Sequence, residues 1–549
     1  MLFSARSKVG GLLSLLGIVT IMSAFVFNGM FFHGTATRAA SRQAYSVTKG
    51  ILTPSKSTDE SNSTSTLFSK GTRHLHQGNK QASKIPAVVG SQLGATNSGS
   101  LLQKFNGTSS LDSEKTNFGA EFEPPDQGLC VGNGFVVEPV NSAYRIFRPD
   151  GTTVAGPFNV NRLFNDGFKQ FTSDPRCYFD KSTNTWFAIV LFLNSKFTIG
   201  RLDLSVNTTG DPTTPWTTYR IDATDPFGPG CPCFGDQPRL GIDQFNIYIS
   251  TDEFSILGPQ FNGPQLYAIS KSDLVALANS VHFVHFGNLS IAGTVPVSVQ
   301  PAITTGASNA EYFMNSLDPN GTGDNRVGVW AMTNQNAVSQ GNFPTLSNVI
   351  FTSEPYVVPP GAIQKGASSL LDSGDDRMQQ VQFINGNLWG ALDTGVTIPN
   401  DTATRAGAAW FKVQPRLDAS GTVIRAAQLV QQGYVSSLGN YLLYPAIQAS
   451  PNGAAAIILT LSGSNNFPSV VYTKMQAGGN AFGAIHIALF GRGSYFRKST
   501  RWGDYSWATL DPDTNNFWMA TEYIPPESSQ TTDGKQNWGT GVIEVSANS

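Results

Sequence analysis

The chain is poor in charge. Only 13% of its 549 residues are Asp, Glu, Lys or Arg, and the formal net charge is −2. No basic cluster stands out, which excludes the electrostatic footprint of a nucleic-acid binder. Long helices would draw on Glu, Lys, Arg, Leu and Ala, and this composition does not favour them. There is no Walker-type loop, G-x-S-x-G elbow, HExxH pair or EF-hand loop. The six histidines are scattered, and only His282 and His285 lie close in sequence, so a zinc site is not expected. Gly321-Thr-Gly-Asp-Asn is explained by a hairpin turn.

Gly, Ser, Thr, Asn and aromatic residues are plentiful, and they suit many short strands joined by turns. Before that region, residues 1–41 read as a targeting segment. Arg6 and Lys8 precede a 24-residue uncharged stretch, Val9 to Phe32, and small residues follow at Thr35 to Ala40. The stretch exceeds the usual cleavable core, so a signal peptide and a retained membrane anchor are both open. Either predicts export, to the medium or to the cell surface. Residues 42–100, typified by Ser61-Asn-Ser-Thr-Ser-Thr66, read as a disordered linker because they bury too little apolar surface to offset ordering.

Residues 101–549 read as one repeat domain. Gly128, Pro175, Pro238, Pro301, Met378, Pro445 and Ser506 mark equivalent points, spaced 47, 63, 63, 77, 67 and 61 residues apart. Each starts a short apolar run, followed by a turn and a second strand centred on Trp186, Tyr248, Tyr312, Trp389, Ile457 or Trp518; the first unit is the most divergent. Strand repeats of this period predict a radial array, since one four-stranded sheet cannot cover both its faces. The expected fold is all-β: a seven-bladed β-propeller. The reference strand is read as the innermost, being shortest and carrying a proline. The last unit runs out one strand short, and Leu101 to Phe105 is expected to fill the gap and close the ring.

Cys130, Cys177, Cys231 and Cys233 are disulfide candidates in an exported chain, and four cysteines allow three pairings. Cys130 and Cys177 share a register in neighbouring units, whereas Cys231-Pro-Cys233 looks too close for a relaxed mutual bridge. Sequons at Asn62, Asn106, Asn207, Asn288, Asn320 and Asn400 matter only in a glycosylating host.

The repeat also aligns polar residues. Asp126, Asp236, Asp376 and Asp504 fall two positions before the reference points and Asp174 one before. Arg176, Arg239 and Arg377 follow at the opposite parity, with Arg501 just upstream in the last unit. If these strands line a channel, the groups gather at one mouth of it. A carboxylate ring suits Ca²⁺, and paired carboxylates with arginines suit acid–base chemistry on a glycan. Alternate strand residues face opposite ways, so structural ion pairs between blades account for the same pattern.

Pro124-Pro-Asp-Gln-Gly128 ahead of Val131-Gly132, and Arg501-Trp-Gly-Asp-Tyr-Ser506 ahead of Phe517-Trp and Glu522-Tyr, resemble a group of secreted bacterial proteins with PPDxxGxVG and RWGDYS motifs. Gly210-Asp-Pro, Trp216-Thr-Thr-Tyr, Ala409-Trp-Phe and Gln431-Gln-Gly fit as well, and the likeness spans about Phe118 to Val545. It implies export and a sialidase-like or related propeller, and brings no established activity. Asp180 to Trp186 and Asp511 to Trp518 are distant echoes of sialidase boxes without their glycine, and no Tyr–Glu pair can be assigned. The expected function is a monomeric extracellular or cell-surface module binding a glycan or surface protein at the channel mouth. The alternative is a sialidase-like glycoside hydrolase using the carboxylates.

Overall fold

The computed structural model describes residues 46–55, 85–94, 100–194, 196, 198–225, 230–258, 260–497, 501–526 and 537–548. The expected targeting segment, Asn62 and the middle of the expected linker lie outside the described residues. Among those described, no helix is long and apolar enough to cross a membrane.

The chain is all-β. After β1 (Ser46–Leu52) and β2 (Leu101–Ser109), strands follow in antiparallel groups of four. The first group is β3 (Cys130–Gly132), β4 (Phe135–Val140), β5 (Ala143–Phe147) and β6 (Thr153–Asn159). The second is β7 (Phe171–Asp180), β8 (Thr185–Leu193), β9 (Gly200–Asn207) and β10 (Thr217–Asp222). The third is β11 (Cys233–Ile242), β12 (Asn246–Ser255), β13 (Phe261–Ser270) and β14 (Val281–Gly287). The fourth is β15 (Gln300–Thr305), β16 (Ala310–Ser316), β17 (Asp324–Thr333) and β18 (Thr345–Tyr356). The fifth is β19 (Met378–Ile384), β20 (Asn387–Val396), β21 (Arg405–Leu417) and β22 (Ile424–Val435). The sixth is β23 (Asn440–Ala449), β24 (Ala455–Gly463), β25 (Asn466–Met475) and β26 (His486–Leu489). The seventh has β27 (Trp507–Leu510), β28 (Phe517–Tyr523) and β29 (Gly539–Val545), and β2 pairs antiparallel with β29 as its fourth strand.

The first strand of each group lies against the first strand of the next, and β27 lies against β3. In the middle of the chain the contact becomes hydrogen bonding, with β15 pairing in parallel with both β11 and β19. Sheets stacked on both sides must be apolar on both faces. Strand β8, Thr-Trp-Phe-Ala-Ile-Val-Leu-Phe-Leu, is accordingly buried at every residue. The second-strand residues Trp186, Tyr248, Tyr312, Trp389, Ile457 and Trp518 are all buried. Asn385 and Gly386, both with positive φ, make the tight turn between β19 and β20.

The first strands share a backbone feature. Within each, or up to four residues ahead of it, one residue takes left-handed φ: Asp126 (45°), Asp174 (59°), Gln237 (49°), Ser298 (49°), Gly374 (66°), Tyr444 (52°) and Gly503 (66°). In β7, β11 and β23 the ladder slips at this level, between Ser173 and Arg176, Asp236 and Arg239, and Leu443 and Ala446. Pro175, Pro238 and Pro445 sit inside these bulges, where a missing N–H costs no ladder bond. Proline does not single out the first strands, since β4, β6, β13, β18, β21 and β25 carry one as well. Nor are the first strands the shortest, because β7, β11 and β23 have ten residues each.

A bulge leaves its amide without a ladder partner, and a buried amide needs one. The second strand of the preceding group, or the turn just after it, supplies the acceptor. Asp174 N donates to Asn141 Oδ1 at 2.8 Å, Ser298 N to Asp252 Oδ1 at 3.1 Å, and Tyr444 N to Asp393 Oδ1 at 2.7 Å. These bonds fasten the first group to the second, the third to the fourth and the fifth to the sixth.

Two expectations need correction. Part of the expected disordered linker is structured: β1 pairs along β14 from Ser46↔Gly287 to Leu52↔Val281, and Ala87, Ser91 and Leu93 bridge to Thr397, Ser437 and Ile485. Main-chain bonding to a sheet edge does not need an apolar face, and most of β1 is exposed. Cys231 and Cys233 do bridge each other, with Cα atoms 4.5 Å apart, inside the span a disulfide accepts. Cys130 and Cys177 form the other bridge and tie β3 to β7.

Replacing Asp393 with Ala strands the Tyr444 amide and is expected to cost about 1–3 kcal/mol in guanidinium unfolding. Asp393→Asn keeps a carbonyl oxygen there and should cost clearly less. Glu138 on β4 gives a pH prediction. It accepts from Thr108 N (2.6 Å) and Thr108 Oγ1 (2.9 Å) on β2, and burial pushes its carboxyl up to about 7. The folded chain therefore holds this proton more tightly than the unfolded chain. Its contribution to stability is present at low pH and is lost as pH rises toward and through 7. Unfolding at pH 5 and pH 8 should show Glu138→Gln gaining on the natural protein at the higher pH. An unchanged difference would mean that Glu138 does not titrate in that window.

Candidate functional site

The left-handed residues gather charged side chains where the first strands meet. Asp126, Asp174 and Asp504 come from the first, second and seventh groups, and each offers a carboxylate oxygen within 4.8 Å of the others. Asp126 is 2% exposed and Asp174 is fully buried. Burial, followed by the charges of Asp504 and Asp174, pushes the Asp126 carboxyl well above the usual carboxylate range, with Arg501 acting against them. Asn141 Nδ2 donates to Asp126 Oδ2 at 2.7 Å, and Arg501 Nη2 pairs with Asp504 Oδ2 at 2.8 Å. Oxygens this close suit a hard cation such as Ca²⁺.

Tyr505 locks these three groups together. Its hydroxyl lies 2.9 Å from the carbonyl of Asp126 and 3.2 Å from that of Pro175. The Arg176 guanidinium stacks on the Tyr505 ring at 3.1 Å and lies 4.8 Å from the Trp507 ring. Gln127 Nε2 returns a bond to the Tyr505 carbonyl at 2.9 Å. Gly503 is required here because a Cβ would stand 2.8 Å from the Tyr444 ring.

Arg239 and Arg377 meet on another arc. Arg239 Nη2 reaches Asp252 Oδ2 (2.7 Å), Gln237 Oε1 (2.8 Å) and Ser298 Oγ (2.8 Å). Arg377 grips Asp375 in bidentate fashion at 2.6 and 2.7 Å, also donates to Gln237 Oε1, and stands 4.0 Å from Asp252. Its guanidinium is held above its ordinary pKa by Asp375, with help from Asp252 and Asp504, which outweigh burial.

A single carboxylate ring does not form. Asp236 is not among the carboxylates that group with Asp126; its Oδ1 accepts from Gln237 N at 2.9 Å within its own bulge. Asp376 is buried beside Asp318 and Asp375, and burial followed by those charges raises its pKa well above normal. The predicted Asp and Arg sets therefore do not simply pair with each other. Arg239 and Arg377 use Asp252 and Asp375, which the repeat alignment did not select. Tyr444 and Glu522 were also missed as members of this region. Tyr444 occupies the position before Pro445 that Asp174 holds before Pro175, which was the available signal. Asp252 faces Asp236 in the β11–β12 register, and only the register reveals it. His282 and His285 are structural, bonded at 2.8 Å to Asp273 and Gln265 respectively.

No family model and no curated protein matches the chain. Among solved structures it is similar to the extracellular domains 1–2 of Drosophila Semaphorin 1b, with 9% identity, 83% of this chain and 88% of that one covered, and a TM-score of 0.37. It is also similar to the GH93 α-L-arabinofuranosidase of Fusarium graminearum complexed with arabinobiose, at 10% identity, 80% and 98% coverage, and a TM-score of 0.31. For the hemagglutinin-neuraminidase ectodomain of parainfluenza virus 5 the figures are 9% identity, 69% and 82% coverage, and a TM-score of 0.34.

Proposed function

We propose that the chain is an exported, monomeric seven-bladed β-propeller, closed by β2, that binds a glycan where its inner strands begin. One observation carries this reading: charged side chains from several blades converge there, and some keep access to solvent. The side chains of Asp504, Arg377 and Arg501 are 23%, 13% and 9% exposed. Carboxylates and guanidinium groups on rigid strands are the donors and acceptors that sugar hydroxyls require.

A glycan-processing enzyme is the second reading. It is favoured by Asp126, whose raised pKa beside the ion-paired Asp504 resembles the division of roles between an acid and a base. Against it, Asp126 and Asp174 are too deeply buried for a sugar ring to reach. Binding is the better account.

The test is a broad glycan panel applied to the natural chain and to Asp504→Asn. The expected result is binding without sugar release, weakened by about tenfold in the variant, equivalent to ~1.4 kcal/mol, with an unchanged melting temperature. Release of a sugar that Asp504→Asn abolishes would favour the enzyme. Binding that the variant leaves intact would remove the site from this region. Repeating the panel with Ca²⁺ and with a chelator shows whether an ion at Asp126, Asp174 and Asp504 takes part.

A further inference from the structure

The two disulfides differ in what they do for the fold. Cys130–Cys177 spans 47 residues, and both cysteines are buried. Such a bridge takes much freedom from the unfolded chain. Cys231–Cys233 spans two residues and takes almost none. Its surroundings are nonetheless specific. Cys233 opens β11 and is fully buried, while Cys231 is partly exposed. A carboxylate oxygen of Glu253 on β12 and both sulfurs lie within 4.8 Å of one another. Asn262 Nδ2 contacts Cys233 Sγ at 3.0 Å, Cys231 Sγ at 3.4 Å and Glu253 Oε1 at 3.1 Å.

We propose that Cys231–Cys233 is a reactive disulfide that exchanges with thiols, with Cys231 as the attacked sulfur and Cys233 as the leaving group. A thiolate forms a bond to Cys231 Sγ while the Cys231–Cys233 bond breaks, and the electron pair stays on Cys233 Sγ. Asn262 stabilises that thiolate, and the Glu253 carboxyl gives it a proton. A second thiol then displaces Cys231, so two thiols are oxidised to a disulfide and the chain gains a dithiol. The exposure difference fixes the direction of attack, because only Cys231 can be approached.

Glu253 is suited to carry the proton. Burial, with the charge of Asp225 added, pushes its carboxyl up to about 7, and the Asn262 amide opposes the shift. Tyr267 also faces it and is itself pushed up by burial, so it does not ionise near neutrality. Below about pH 7 the carboxyl holds a proton to donate, and above it that proton is gone.

The full chain is incubated with reduced glutathione, quenched by alkylation, and each cysteine is read by mass spectrometry. Cys231 and Cys233 are expected to open at least about tenfold faster than Cys130 and Cys177. Cys233→Ser, whose Cys231 is a free thiol, should take up one glutathionyl group from oxidised glutathione, releasing reduced glutathione. Glu253→Gln should slow opening more at pH 6 than at pH 8, a pH dependence that a purely structural role would not produce. The proposal is overturned if both bridges open together, if opening occurs only on unfolding, or if Cys233→Ser takes no adduct from oxidised glutathione. Equal slowing by Glu253→Gln at both pH values would remove Glu253 as the proton carrier.

Discussion

The architecture depends on an amide. In or just ahead of each first strand the chain passes through a left-handed residue, and the bend leaves backbone N–H groups that no ladder satisfies. Asn141, Asp252 and Asp393 receive three of these amides from the neighbouring group. Their side chains are thus part of the main-chain hydrogen-bond system rather than polar intrusions into a core. The same bend turns Asp174, Gln237 and Tyr444 away from the sheet ladder and toward the strands of other groups. Without it, a regular strand would alternate these residues between two apolar interfaces that cannot accept them.

The buried charges follow from that geometry. Arg239 is 2% exposed and Asp252 fully buried, yet each has several partners, because Ser298 from the next group bonds to both. Arg176 lies on the Tyr505 ring, with Asp174 and Asp126 acting on it electrostatically. Removing one member of such a network leaves a buried charge exposed to nothing, which is why these positions carry more than their pairwise contacts suggest.

Sequence patterns reveal the periodic part of this design. The second-strand anchors from Trp186 to Trp518 are legible because a buried aromatic after a polar turn has a recognisable spacing. Leu101 to Phe105 is legible because an apolar run outside the repeat matched a missing strand. The polar partners were harder to see. Asp252 becomes a neighbour of Arg377 only when strands from different groups are brought together, and no local pattern encodes that proximity; Asp375, two residues before Arg377, is local but falls outside the repeat register. β1 escaped notice because its contribution is backbone pairing at an edge, to which its side chains hardly contribute. Cys231–Cys233 was misjudged because separation in sequence is a poor guide to Cα distance where the chain turns on itself.

The pairing of β2 with β29 joins residues that the ribosome makes far apart in time. Thr108 and Thr540, hydrogen-bonded in the seventh group, are 432 residues apart in the chain. Leu101–Ser109 must therefore wait, unpaired, while nearly the whole domain is synthesised, and the seventh sheet forms only after its last strand emerges. A contact of such high order makes completion of the fold its slowest and most exposed stage. The unfilled edge of β29 is meanwhile open to any other strand, including that of a second copy, so the local concentration supplied by the chain's own β2 segment decides between pairing within one chain and exchange between two.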